Sequence, residues 1–263
     1  MKIPGRVFFQ RLLLLAAALL FSACSFIMGA KPVMPIEQGV TVYAIDKTPA
    51  PTVILFPGCG GTQTNDVKEI FPRKIKWLNN NGFNVIVIDY VKIMGVDNAC
   101  MGQIKPDTLR KVVPQAFQYA ASQPAVDRDH IALLGWSMGA SVALTIAEKL
   151  EPAAQPNITA VAAYYPGCYA GLQLSTHPTL LLLGLADNVV NANDCLALAS
   201  KSPQTPLIIK TYPGAYHNFD NIEFKNPKTV HFFWKEFTSA YDPVAADDAE
   251  KTLLEFLKVN NTK

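Results

Sequence analysis

Charge is scarce in this sequence, and neither sign dominates. Of 263 residues, 17% are charged, with 23 basic against 21 acidic side chains. That balance lacks the basic surplus with which a nucleic-acid binder meets phosphate, so no nucleic-acid partner is expected. Histidine is also scarce, at four residues, and neither a C-x-x-C nor an H-x-x-x-H spacing occurs. No metal site and no cofactor are therefore expected. No internal repeat or low-complexity linker interrupts residues 40–259, which argues for one domain. An apolar fraction of 50% is too high for a disordered chain and ample for a sizeable core.

Long apolar runs are missing as well. The run Leu12–Phe21 falls short of the roughly 20 residues that a membrane-spanning helix needs. It follows the positive lead of Lys2, Arg6 and Arg11 and ends at Ser22-Ala23-Cys24, the make-up of a secretory signal. Removing residues 1–23 takes away three positive charges and no acid, so the formal +2 belongs to the signal. Phe21-Ser22-Ala23-Cys24 also resembles a bacterial lipobox, with Phe21 where leucine is usual. That resemblance implies lipidation of Cys24, attachment to the cell envelope facing the periplasm, and, with Ser25 next, outer-membrane sorting. The alternative is a plain signal and a soluble periplasmic or secreted protein. Residues 24–39 read as a tether and 40–263 as the domain.

Five cysteines is an odd count, and a lipid on Cys24 would leave an even set: Cys59, Cys100, Cys168 and Cys195. In an exported chain these suggest two disulfides, with three possible pairings.

Short apolar runs rich in β-formers occur at Val40–Ile45, Thr52–Phe56, Asn84–Asp89, Ile131–Leu134, Thr159–Tyr164, Thr179–Gly184 and Leu207–Tyr212. Helical spacing separates most of them, at Asp66–Asn80, Thr108–Ala121 and Ser137–Leu150, and recurs at Asp247–Val259. Nearly all-apolar strands alternating with helices imply an α/β fold with a single doubly wound, mostly parallel sheet and helices on both faces. In such a sheet the ligand site lies beyond the carboxyl ends of the strands.

After Ile131–Leu134 the chain reads Gly135-Trp136-Ser137-Met138-Gly139, a G-x-S-x-G. A serine nucleophile needs a sharp strand-to-helix turn that exposes its hydroxyl, with small residues where the two backbones converge. At ordinary glycine and serine usage a chain of this length contains the pattern by chance roughly one time in ten, but the flanking strand and helix are the required context. A nucleophilic serine needs a base, and the base an orienting acid, in the chain order Ser, acid, His. Between Ser137 and His217 the acids are Glu148, Glu151, Asp187 and Asp194. The glutamates belong to the helix leaving Ser137. Asp187 stands just past a strand end, and Asp194, in a following helix, is the alternative. Asp89 also ends a strand but precedes the serine. Among the histidines, His130 precedes the serine and His177 precedes the acid, while His231 sits in the aromatic stretch His231–Trp234 and reads as a packed helix residue. His217 follows a strand through Pro213-Gly214-Ala215-Tyr216 and is the candidate base. Backbone N–H groups of Met138 and of Cys59 or Gly60, in the early turn Pro57–Gly61, are the candidate oxyanion donors. Trp136, Met138 and Tyr216 read equally as pocket lining or as packing.

These stretches together resemble the dienelactone hydrolase family of the α/β-hydrolase superfamily. The resemblance rests on Phe56–Gly61, Gly135–Gly139, Tyr165-Pro166-Gly167-Cys168, Leu183-Gly184 with Asp187, Tyr212–Asp220, and Tyr241-Asp242-Pro243 with Ala245, Ala246 and Ala249. It implies the α/β-hydrolase fold, a small-molecule ester or lactone substrate, and the disulfides Cys59–Cys100 and Cys168–Cys195. The founding enzyme of the family uses a cysteine nucleophile where this chain has Ser137, and many relatives have histidine where Pro57 stands. The expected activity is ester or lactone hydrolysis through an acyl-enzyme on Ser137. The alternatives are a peptidase or acyltransferase with the same triad, or a non-catalytic envelope lipoprotein that binds a ligand.

Overall fold

The computed structural model describes residues 34–45, 49–65, 69–100, 102–104, 106–149, 156–232 and 235–262. The signal expected at 1–23 and the lipidation expected at Cys24 lie outside the described residues. Seven strands form one sheet: β1 (Val40–Tyr43), β2 (Ala50–Phe56), β3 (Asn84–Ile88), β4 (Val126–Trp136), β5 (Ile158–Tyr164), β6 (Thr179–Gly184) and β7 (Leu207–Tyr212). Their order is β1-β3-β2-β4-β5-β6-β7, with β1 antiparallel to β3 and every other neighbouring pair parallel. Parallel neighbours require crossovers. Helix α1 (Ile70–Asn80) joins β2 to β3. The short α2 (Tyr90–Ile93) and α3 (Pro106–Ala121) lead from β3 to β4, and α4 (Met138–Lys149) leaves β4 towards β5. Helix α5 (Ala192–Ser200) joins β6 to β7, and α6 (Pro243–Asn260) closes the described chain.

Alternation along the strands builds a core on each face. Ile54, Phe56, Ile131 and Leu133 pack with Val113 and Phe117 of α3 and Val142 and Ile146 of α4. Val53, Leu55, Ala132 and Leu134 pack with Ile75 and Leu78 of α1 and Leu253 and Leu257 of α6. This is the doubly wound sheet that the strand pattern predicts. The chain moves outward from β2 to β3, then crosses back past β2 to β4, so the direction of winding reverses between β2 and β4. The turns at the carboxyl ends of these two strands, Pro57–Gly61 and Ser137, therefore flank the crevice where ligands bind in such sheets.

The structure departs from the sequence reading in three places. First, the tether expected at 24–39 is docked from Met34 onward. The Met34 N–H donates to the Ile93 carbonyl at 2.7 Å and Asp89 N–H to the Gly39 carbonyl at 2.8 Å. Second, α6 starts at Pro243 rather than Asp247, because the Asp242 carboxylate caps it, accepting from the N–H groups of Val244 and Ala245. Proline is tolerated there, since its missing N–H would have no helical partner. Third, His231 is not in a helix. It sits in β8 (Lys228–Phe232), which pairs antiparallel with β9 (Lys235–Ser239), and its imidazole is exposed beside Glu236 at 3.5 Å. Cross-strand pairs such as Thr229 with Thr238 hold this hairpin outside the main sheet.

Both disulfides are present, Cys59–Cys100 and Cys168–Cys195. The second closes a sequence separation of 27, which in the chain-entropy picture contributes about 3–4 kcal/mol. The double variant Cys168→Ala/Cys195→Ala is expected to melt about 10 °C lower by calorimetry. An unchanged Tm would show that the bond does not limit the unfolded chain.

Candidate active site

Ser137 stands between the last residue of β4 and the first of α4 with φ 52°, a left-handed conformation that side chains rarely adopt. The strain is held by hydrogen bonds on both sides of the turn. Ser137 N–H donates to the Tyr164 carbonyl at 2.9 Å, and the Ser137 carbonyl accepts from Ala140 N–H at 3.0 Å and Ser141 N–H at 3.1 Å. Glycines are required on either side because strand and helix nearly touch. A Cβ on Gly139 would collide with the carbonyls of Phe56 and Pro57, and one on Gly135 would collide with the Gly139 backbone. The same closeness brings the turn after β2 against the serine. A Cβ built on Gly58 would meet Ser137 Cβ at 3.6 Å.

His217 and Asp187 reach this serine from neighbouring strand ends. The loop after β6 carries Asp187 and the loop after β7 carries His217, and Ala186 N–H donates to the Ala215 carbonyl at 3.1 Å to hold them together. Asp187 Oδ2 lies 2.7 Å from His217 Nδ1, and His217 Nε2 lies 3.0 Å from Ser137 Oγ. The acid side chain is 1% exposed and the imidazole 6%. Asp187 Oδ1 accepts from the N–H groups of Val189 at 2.8 Å and Val190 at 3.0 Å, which fixes the carboxylate plane. Two backbone donors and the imidazole N–H thus satisfy a nearly buried charge.

The other candidates fall elsewhere. Asp194 sits in the first turn of α5, bonded to its own cap residue Asn191 at 3.3 Å. His130 pairs with Asp127 at 3.1 Å, and His177 is buried beside Ser175 at 3.0 Å. Trp136 is core packing, stacked on Tyr164 and edge-on to Phe71. Tyr216 is exposed. Met138 and Ser137 both line a cavity of about 470 Å³.

Three supports were not legible beforehand. The carboxylate of Asp220 accepts from Trp136 Nε1–H at 2.9 Å and from the Tyr165 hydroxyl at 2.6 Å, and the Tyr165 ring lies 4.6 Å from the His217 imidazole. This clamp ties the ends of β4 and β5 to the histidine loop. Asp89, at the end of β3, accepts from Thr62 N–H at 3.0 Å and Thr62 Oγ1 at 2.6 Å, anchoring the turn after β2. The hairpin β8–β9 docks on the loops that carry Asp187 and His217. Ala240 N–H donates to the His217 carbonyl at 3.1 Å, and Thr238 N–H to Asn188 Oδ1 at 2.8 Å. Each partner is distant in sequence, so no local spacing announces it.

Burial, and then the neighbouring Asp220, push the Tyr165 hydroxyl well above its ordinary range, so it stays a protonated donor in the clamp. Burial likewise raises Tyr90 and Tyr164. In the unfolded chain all three release their protons near pH 10, so above that pH the unfolded state binds fewer protons and stability falls. Three such groups give a slope of about 4 kcal/mol per pH unit above pH 10. Denaturant midpoints from pH 8 to 11.5 are expected to hold level and then drop, and a level curve throughout would contradict burial of the three phenols.

The sheet order, the crevice at its winding reversal and the turn bearing Ser137 define an α/β-hydrolase fold. The chain matches the model of the dienelactone hydrolase family over residues 39–260, and it belongs to that family. Among solved structures, a dienelactone hydrolase-like promiscuous phosphotriesterase, P91, from metagenomic libraries has a similar fold. It matches with TM-score 0.61 and 17% identity over 84% of this chain and 99% of that one. A thermophilic esterase, Est2, of the Planctomycetes species Thermogutta terrifontis matches with TM-score 0.59 and 16% identity over 84% of this chain and 88% of that one. A curated relative is the non-reducing polyketide synthase Preu6 of Preussia isomera, 29% identical over 138 residues; these are 50% of this chain but 6% of that much longer protein.

Proposed function

We propose that this hydrolase is a serine hydrolase that cleaves carboxylic esters or lactones through an acyl-enzyme on Ser137. The observation that carries the reading is the unbroken hydrogen-bonded chain from Ser137 Oγ through the His217 imidazole to the nearly buried Asp187. In this reading Ser137 Oγ attacks the substrate carbonyl carbon while His217 Nε2 takes the hydroxyl proton. Asp187 holds Nδ1 protonated and stabilises the imidazolium. The carbonyl electrons move onto oxygen, where the Met138 N–H, at the unpaired start of α4, and the N–H of Cys59 or Gly60 stabilise the oxyanion. Collapse of the intermediate breaks the bond to the alcohol oxygen, which receives the proton from His217. A water then attacks the acyl-enzyme, gives a proton to His217, and the acid departs as that proton returns to Ser137 Oγ.

A panel of p-nitrophenyl esters and peptide p-nitroanilides tests ester against amide chemistry. The account expects ester turnover with a burst of one nitrophenol per chain and little anilide cleavage; preferred anilide cleavage would make the protein a peptidase. We further propose that the enzyme works in the cell envelope, anchored through Cys24. The positive lead, the short apolar run and the two disulfides support export. Labelled fatty acid incorporated at Cys24, and blocked by globomycin, is the expected result; an unmodified mature N-terminus would overturn the anchor.

A further inference from the structure

Ser137 lines a cavity of about 470 Å³ whose walls are mostly apolar. It runs along α4, with Leu109 and Val113 from α3, Val142 and Ile146 from α4, and the Cys59–Cys100 disulfide among its walls. The hydroxyls on these walls are already engaged. Ser141 Oγ donates to the Gly167 carbonyl at 2.8 Å, and Thr145 Oγ1 donates to the Ser141 carbonyl at 2.8 Å. The Tyr169 hydroxyl is 3.0 Å from Thr145 Oγ1, which is left as its acceptor. Lys149, exposed at the far end of α4, is the one charged side chain of the lining; between Ser137 and Ile146 a sugar or peptide would meet hydroxyls whose protons are already committed, whereas an alkyl chain needs no partner.

The direction follows from the base. The leaving alcohol takes its proton from His217 Nε2, so it departs on the histidine side, and His217 does not border the described cavity. The acyl group therefore points the other way, along α4. From Ser137 to Ile146 the helix advances about 13 Å, and an extended chain advances about 1.2 Å per bond. The distance matches on the order of ten carbons.

Resting on the serine-hydrolase reading, we propose that the substrate class is esters of unbranched aliphatic acids of about eight to twelve carbons, with the acyl chain lying between α3 and α4. Each methylene placed in an apolar wall raises kcat/KM by up to about fourfold. With p-nitrophenyl esters from acetate to palmitate, kept below their critical micelle concentrations, kcat/KM is expected to rise at least a hundredfold from butyrate to decanoate and to level off beyond laurate. The variants Val142→Trp and Ile146→Trp, one turn apart, are expected to move the optimum to about four and about eight carbons respectively. Leu109→Trp, from a half-buried position on the facing helix, supplies the same test if the α4 variants do not fold, and the wild-type series decides the proposal without any variant. A flat series, or one falling from acetate, overturns the acyl channel while leaving the hydrolase reading intact. Absence of ester hydrolysis together with absence of fluorophosphonate labelling overturns both.

Discussion

Ser137→Ala is expected to lower kcat/KM for ester hydrolysis by 10⁴-fold or more, with Tm changed by no more than a few degrees. The loss is large because the variant removes the atom that forms the acyl bond, and the base then has only water to activate. The fold is spared for a local reason. Ser137 already occupies φ 52°, a conformation that alanine adopts at a similar cost, and the backbone bonds to Tyr164, Ala140 and Ser141 do not involve the hydroxyl. The variant gives up one side-chain hydrogen bond, from Ser137 Oγ to His217 Nε2. Steady-state kinetics with calorimetry on the same sample checks both halves. Activity within tenfold of wild type would move the nucleophile elsewhere.

Asp187→Asn is expected to cost about as much in kcat, near 10⁴-fold, although it changes one atom and little geometry. The Val189 and Val190 N–H groups both point at Oδ1, so the asparagine carbonyl must take that position to accept them. The amide NH₂ then faces His217 Nδ1, which can accept it only when unprotonated. The imidazole proton is forced onto Nε2, where it points at Ser137 Oγ, and a protonated nitrogen cannot take the serine proton. Nitrogen-15 NMR of the imidazole is expected to report the exchanged tautomer, and kcat is expected to fall while KM changes little. A variant with normal kcat would assign the orienting role to another acid; Asp194, in the first turn of α5, is bonded to its cap residue Asn191 rather than to a histidine.

Much of this site was legible in sequence because its parts sit at strand ends. The apolar runs locate β4, β6 and β7, the parallel topology aligns their carboxyl ends, and Ser137, Asp187 and His217 are the residues just beyond them. The supporting layer was not legible, for a physical reason. Asp220 joins Trp136 and Tyr165 across separations of 84 and 55 residues, and Asp89 holds Thr62 across 27. Such contacts are set by three-dimensional packing rather than by spacing along the chain. The hairpin was misread as helix for a related reason. The stretch around His231 is aromatic and apolar in sequence, but His231 lies in β8, whose partner strand β9 is polar, so periodicity had no alternation to detect. Helix α6 was recognised by its apolar stripe yet started late, because its first turn is set by the Asp242 cap and brings only the small Ala245 to the core.

The most direct test of the account is to expose the protein to an alkyl fluorophosphonate and map the adduct by mass spectrometry. The phosphonate phosphorus accepts the serine oxygen and releases fluoride, so the reaction requires an activated hydroxyl and no knowledge of the natural ester. The account predicts one adduct per chain, on Ser137, formed rapidly in the wild type, slowed by orders of magnitude in His217→Ala and absent in Ser137→Ala. No adduct, or an adduct on another residue that persists in Ser137→Ala, would contradict it.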